Sequence, residues 1–202
     1  MAESETHVEY HDNGQVKESC ALKDGLLEGE VVTFTEAGLI SQQANFTGGV
    51  LNGDTLIYDK KGLLAQKMTF KSGQLDGPMM IYNEGVLQVM CTHKDGEKEG
   101  EFIQYDENGN VVHKANYKNG KLNGEALWYD AGVLIKRSQF LDGKLSGVTI
   151  EYYPSGQVQT ASQYKANKLH GETVGYSPEG IVIQRAYYIN GKPAPFPLLP
   201  HG

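Results

Sequence analysis

Apolar and polar side chains alternate at period two along short stretches of about seven residues. Glu101, Ile103 and Tyr105 fall on one face of such a stretch, as do Glu125, Leu127 and Tyr129, and Glu172, Val174 and Tyr176. In the stretches that follow, the same alternation groups Val111 with Ala115 and Tyr117, and Leu64 with Met68 and Phe70. Between them stand pairs such as Asn13-Gly14, Asp24-Gly25, Asp95-Gly96, Asn108-Gly109, Asn119-Gly120 and Asp142-Gly143, which adopt positive φ at low cost, as tight hairpin turns require. No segment keeps a helical period over three turns. The pattern predicts β-hairpins joined into a continuous antiparallel meander.

The hairpins repeat. Glycines recur at a step of 23 or 24 residues in three series, one containing Gly38, Gly62 and Gly85, a second Gly53, Gly77 and Gly100, a third Gly49, Gly73 and Gly96. Tyr10, Phe34, Tyr58, Tyr82, Tyr105, Tyr129, Tyr152 and Tyr176 form one aromatic column. A second column reads Leu22, Phe46, Phe70, His93, Tyr117, Phe140, Tyr164 and Tyr188. The second glycine series lies inside a strand, as in Leu75-Asp76-Gly77, where glycine marks a bulge or a close approach. The expectation is that a neighbouring aromatic ring lies over that bare backbone.

The predicted fold is all-β: an elongated single-layer antiparallel β-meander of about eight tandem 23–24-residue β-hairpin repeats. At the usual strand spacing this is a ribbon on the order of 75 Å long. Residues 1–6 read as an N-terminal extension and 7–192 as the repeat domain. Residues 193–202 read as a Pro-rich tail or cap, in which Phe196 or Leu198 covers the open end, or which serves as a docking peptide.

Charge narrows the partners. The net charge of −7 argues against nucleic acid or an anionic membrane surface as the main partner, and membrane lipid is not expected. It suits a basic protein partner, and equally a surface that is simply kept soluble. No apolar run is long enough to span a bilayer, and the polar, acidic N-terminus lacks the form of a signal peptide, so the expected location is cytoplasmic. Cys20 and Cys91 fall in one column with Ala44, Met68, Ala115, Ser138, Ser162 and Ala186 and read as packed residues, three units apart and beyond disulfide reach.

From Tyr105 through Gly109, Tyr117, Gly120, Leu122 and Gly124, the spacing YxxxGxLxxxxxYxxGxLxG resembles the MORN-repeat variant common in bacteria, and is similar to YwqK-type antitoxin and immunity proteins. The resemblance covers roughly residues 7–193. It departs at Lys98, where Leu is usual, at His93 in an aromatic column, and at Asn167 in place of a turn glycine. It implies a non-catalytic binding protein, an antitoxin or immunity protein that neutralises a cognate bacterial protein toxin. The alternative is a structural scaffold that self-associates or tethers proteins near a membrane.

The residues offer no catalytic motif, no metal-ligand set beyond the lone His7/His11 pair, and no cofactor site. Two surfaces stand out. Ile57, Met79, Ile81, Phe102 and Trp128 lie opposite the Tyr column in the four middle units, where flanking units carry Thr33, Thr149, Glu151, Thr173 and Gly175. This is a candidate site for a different protein, for a second copy in a homodimer, or for partial burial by curling of the sheet. Glu30, Asp54, Glu101, Glu125 and Glu172 form an acidic stripe, which either meets a basic partner or is offset by turn lysines Lys121, Lys144 and Lys168.

Overall fold

A computed structural model describes residues 5–197. Among them there is no helix, and the strands run β1 (Glu5–Tyr10), β2 (Val16–Lys23), β3 (Leu26–Leu27), β4 (Gly29–Phe34), β5 (Ile40–Thr47), β6 (Val50–Tyr58), β7 (Leu64–Lys71), β8 (Gln74–Asn83), β9 (Val86–Lys94), β10 (Glu97–Tyr105), β11 (Val111–Lys118), β12 (Lys121–Asp130), β13 (Val133–Leu141), β14 (Lys144–Leu145), β15 (Gly147–Tyr152), β16 (Val158–Lys165), β17 (Lys168–Tyr176), β18 (Val182–Ile189) and β19 (Lys192–Ala194). They form one open antiparallel sheet in meander order. The short β3 and β14 are the first turns of the strands continued by β4 and β15. The predicted hairpin meander is thus the fold. The sheet divides into two compact units, Met1–Glu99 with Glu107–Gly109, and Gly100–Asp106 with Asn110–Gly202.

Two kinds of turn alternate. Where a second strand passes to the next unit, both turn residues have positive φ, as at Asp95 (50°) and Gly96 (84°), which matches the right-handed twist of the strands. Within most units the turn is longer. At Asn13-Gly14 only Gly14 has positive φ, and its amide donates to the His11 carbonyl at 2.9 Å. A bulge accompanies each of these turns, as between Gln104 and Tyr105 opposite β11.

The bulge corrects one expected grouping. Val111 pairs with Tyr105, whereas Ala115 pairs with Phe102, which lies on the other face. Val111 therefore sits on the Tyr face, apart from Ala115 and Tyr117. Leu64, paired with Tyr58, is separated from Met68 in the same way.

The glycines inside the strands also differ from expectation. Gly77 has φ of 130°, and a Cβ built there would meet the Thr69 Cβ at 2.9 Å. At Gly147 it would meet the Gln139 Cβ at 3.0 Å. The close neighbour is a polar side chain of the preceding strand, not an aromatic ring. Positive φ supplies the second reason for glycine, because L-residues are strained there.

Most of the buried side chains form a line of small residues on one face, while Ile103 and Val174 are buried on the other. Cys20, Ala44, Cys91, Ala115 and Ser138 are buried, joined by Val31, Thr55, Ala126 and Thr149 at cross-strand positions. With no second layer of structure among the described residues, these are shielded by longer neighbours on the same face. Ser138 accepts from the Thr149 hydroxyl at 3.1 Å, whereas the buried Thr55 hydroxyl has no hydrogen-bond partner among the described residues. Both cysteines are free and buried, and burial raises both thiols above their ordinary pKa.

In the tail, β19 pairs with the end of β18, and the Phe196 ring packs 5.8 Å from Tyr187 while staying half-exposed. Leu198 and His201 lie outside the described residues.

Candidate functional site

Phe102 and Trp128 lie on strands β10 and β12 of the second unit. Register decides their company. Trp128 pairs with His113 on one side and Lys136 on the other, and Phe102 pairs with Ala115. Tyr117 and Phe140 stand two and four positions away on the same face, opposite Gly100 and Gly124.

The rings make a ladder. Phe102 meets His113 at 5.7 Å and Tyr117 at 5.9 Å between centroids. His113 stacks on Trp128 at 4.9 Å with only 21° between planes, and Trp128 meets Phe140 at 6.5 Å. Lys136 Nζ lies 5.6 Å from the Trp128 ring centroid and 3.6 Å from the Glu151 carboxylate. Burial holds the His113 imidazole below its ordinary pKa, so it is neutral near pH 7. Its Nε2 is buried and has no hydrogen-bond partner among the described residues.

Ile57, Met79 and Ile81 belong to the first unit. They pair with Gln42 and Gln66, with Met68 and Cys91, and with Gln66 and Val89, on the face that carries the small-residue line. All five expected patch residues are half-buried. They do not form an isolated exposed patch, because the second aromatic column shares their face. His113, Tyr117, Phe140 and Lys136 complete the cluster around Trp128. The signal for them was the cross-strand register, which the glycine and aromatic columns encode but which alternation within one strand does not reveal.

His93 occupies its aromatic column as a buried residue with Nδ1 4.0 Å from Cys91 Sγ. Burial lowers its pKa, and Lys98 adds to the effect. Lys98 thus stands near His93, so two departures from the repeat fall together.

The acidic stripe is offset from within the strands. Lys67 lies 2.8 Å from Asp54, Arg137 3.6 Å from Glu125 and Arg185 3.5 Å from Glu172. Thr69 donates to Asp54 at 2.7 Å, and Gln43 donates to Glu30 at 3.1 Å. The Lys67 and Thr69 hydrogen bonds hold the Asp54 carboxyl below its usual range. The cations that offset Asp54, Glu125 and Glu172 therefore come from the second strands of their units, where the expectation placed them in the turns. Glu101, the remaining member, is exposed on β10.

The His7/His11 pair does not converge. His11 Nε2 donates to the Phe34 carbonyl at 2.9 Å, and His7 stands 3.9 Å from Glu9. Among the described residues no group of three or more His, Cys, Asp or Glu is placed to hold a metal ion.

Residues 98–119 and 145–166 match the family model of the MORN repeat variant, so the chain is similar to that family over these two segments. Comparison with curated proteins finds no match.

Proposed function

We propose that this chain is a non-catalytic binding protein that takes a protein partner on the Trp128 face, and that the partner is a bacterial toxin it neutralises. The observation that carries the reading is the ladder of Phe102, His113, Trp128 and Phe140 on a sheet face that no other described element covers. Tryptophan, tyrosine and a flanking cation over an aromatic ring are the side chains that dominate protein interfaces. A ladder stacked across strands is also held rigid, so little rotamer freedom is lost on docking. The similarity to a repeat family supports a binding or scaffolding role. The toxin reading rests on the resemblance described for the sequence.

The test is recovery of partners from source-cell lysate by wild-type protein and by a Trp128→Asp, Phe102→Asp variant shown to be folded by circular dichroism. One partner held by the wild type and lost with the variant is expected. Its own activity should then fall on addition of stoichiometric wild-type chain. A partner retained equally by both proteins contradicts the face, and a partner whose activity is unchanged contradicts neutralisation.

A further inference from the structure

Sulfur ligands gather on three adjacent strands of the first unit. Of the five methionines in the chain, Met68, Met79, Met80 and Met90 lie on β7–β9, and so does Cys91, one of the two cysteines. Register sorts them. Met80 pairs with Met90 on the Tyr face, whereas Met68 pairs with Met79, and Met79 with Cys91, on the face of the small-residue line. His93, two positions after Cys91, comes to that same face opposite Gly77. Met79 and His93 are both exceptions in their repeat columns. Other units carry Thr55, Ala126 or Thr149 in place of Met79, and Phe46, Phe70 or Phe140 in place of His93.

The Cys91–His93 geometry suits a metal ion better than a hydrogen bond. Both side chains are more than nine-tenths buried, at 3% and 8% exposure. Sγ and Nδ1 face each other at 4.0 Å, the outer limit for a hydrogen bond to sulfur. With bonds of about 2.3 Å to sulfur and about 2.0 Å to imidazole, an ion between them needs about 4.3 Å if the three atoms are collinear, about 3.7 Å if trigonal and about 3.5 Å if tetrahedral. The separation therefore fits two or three ligands, and not four. Among the described residues no third His, Cys, Asp or Glu joins the pair, and Met79 is the thioether placed directly opposite Cys91. Thiolate, thioether and imidazole at low coordination number select Cu(I), whereas a structural zinc site takes four ligands from Cys, His and carboxylates.

Charge points the same way. Burial keeps Cys91 a thiol and His93 a neutral imidazole near pH 7. A monovalent ion that displaces the thiol proton leaves the buried site neutral. A divalent ion leaves a net positive charge there, close to Lys98.

We propose that Cys91, His93 and Met79 bind one Cu(I) ion. The Cys91 S–H bond breaks, its proton goes to solvent, and Sγ bonds the ion. His93 Nδ1 and the Met79 sulfur each donate a lone pair, and the copper stays Cu(I) throughout. Cys20 does not repeat the arrangement. Leu22 stands at the position of His93, and His7, opposite Cys20, has its ring 3.9 Å from Glu9. The site uses no residue of the Trp128 ladder and stands independently of the partner reading above.

Anaerobic titration of the metal-free chain with Cu(I), in competition with a chromophoric Cu(I) chelator, tests this on wild type, Cys91→Ala, His93→Phe, Met79→Leu and Cys20→Ala. The repeat itself carries Ala44 and Ala115 in the column of Cys91 and Phe46 in that of His93, so these variants keep the fold, which circular dichroism verifies. The wild type is expected to take up one Cu(I) per chain, with Cu–S and Cu–N bonds and no more than three ligands by X-ray absorption. Its unfolding midpoint should rise with Cu(I), and that of Cys91→Ala should not. Cys91→Ala and His93→Phe should each weaken binding at least about a hundredfold, and Met79→Leu about tenfold, since loss of a ligand costs more than loss of a group that only supports one. Cys20→Ala should bind as the wild type does. No saturable uptake, wild-type affinity in folded Cys91→Ala or His93→Phe, uptake lost in Cys20→Ala, or displacement of Cu(I) by equimolar Zn(II) overturns the proposal. Affinity unchanged in Met79→Leu contradicts the third ligand.

Discussion

At the residue scale, glycine in the Leu-x-Gly pattern answers to two constraints, and only one was readable. The expected aromatic ring over Gly77 is replaced by the Thr69 side chain, and φ of 130° adds strain for any other residue. The clue was the polar column that contains Asn45, Thr69, Gln139 and Gln163, but its role needs the bulged register to appear. Gly77→Ala should cost about 2–4 kcal/mol, the sum of positive-φ strain and a displaced Thr69. Gly100→Ala, with φ of 83° and no atom within 4 Å of the new Cβ, should cost only about 1–2 kcal/mol. Urea denaturation of the two variants checks the order.

Two histidines give the fold a pH dependence. His93 and His113 both have their pKa lowered by burial. In the unfolded chain they take up protons near pH 6.5. In the folded chain they do so only at lower pH, so between these values the unfolded state binds more protons. Their contribution to stability is therefore present at neutral pH and is lost as pH falls from about 6.5 toward the folded values. Urea midpoints should drop from pH 7 to pH 5 in wild type and drop less in a His93→Phe, His113→Phe variant. An equal drop in both proteins assigns the pH dependence to the carboxylates instead.

At the scale of the strand, period-two alternation placed the first strands of each unit correctly and misplaced the start of the second. The Gln104/Tyr105 bulge shifts register by one, which sends Val111 to the Tyr face. That shift comes from the within-unit turn, whose Asn-Gly spelling looks like that of the tighter turns. The small column was legible, and its burial explains it. Ala115 is 1% exposed between Phe102 and Ala126, so Ala115→Met should overpack the line and cost about 1–3 kcal/mol in the same denaturation assay. Met68 holds the same column opposite Thr55, where the neighbour is smaller than Phe102. By contrast, Lys67→Ala removes an ion pair whose partners are both more than a third exposed, and should cost no more than about 1 kcal/mol.

For the whole molecule, the repeat period made the fold readable. Glycine and aromatic columns at a fixed step specify which strands are neighbours, and neighbours are nearly all the structure there is. The candidate site was legible only in part. Phe102 and Trp128 stood out by composition, while His113, Tyr117 and Phe140 joined them only once strands were set in register. Ile57, Met79 and Ile81 share the face type but belong to the other unit. The chemistry of a partner leaves no such periodic trace, because it depends on single positions where the repeat tolerates variation.

The central claim is that a foreign protein docks on the face bearing Trp128. The most direct measurement is photo-crosslinking from β10, with a benzophenone side chain placed at position 104 or at position 101. Gln104 pairs with His113 on the aromatic face, and Glu101 points to the opposite face, beside Asn116. Both are exposed, so either side chain is tolerated. The account predicts one distinct protein crosslinked in cells from position 104 and absent from position 101. Crosslinks only from position 101, or from neither position to anything but the chain itself, would contradict it.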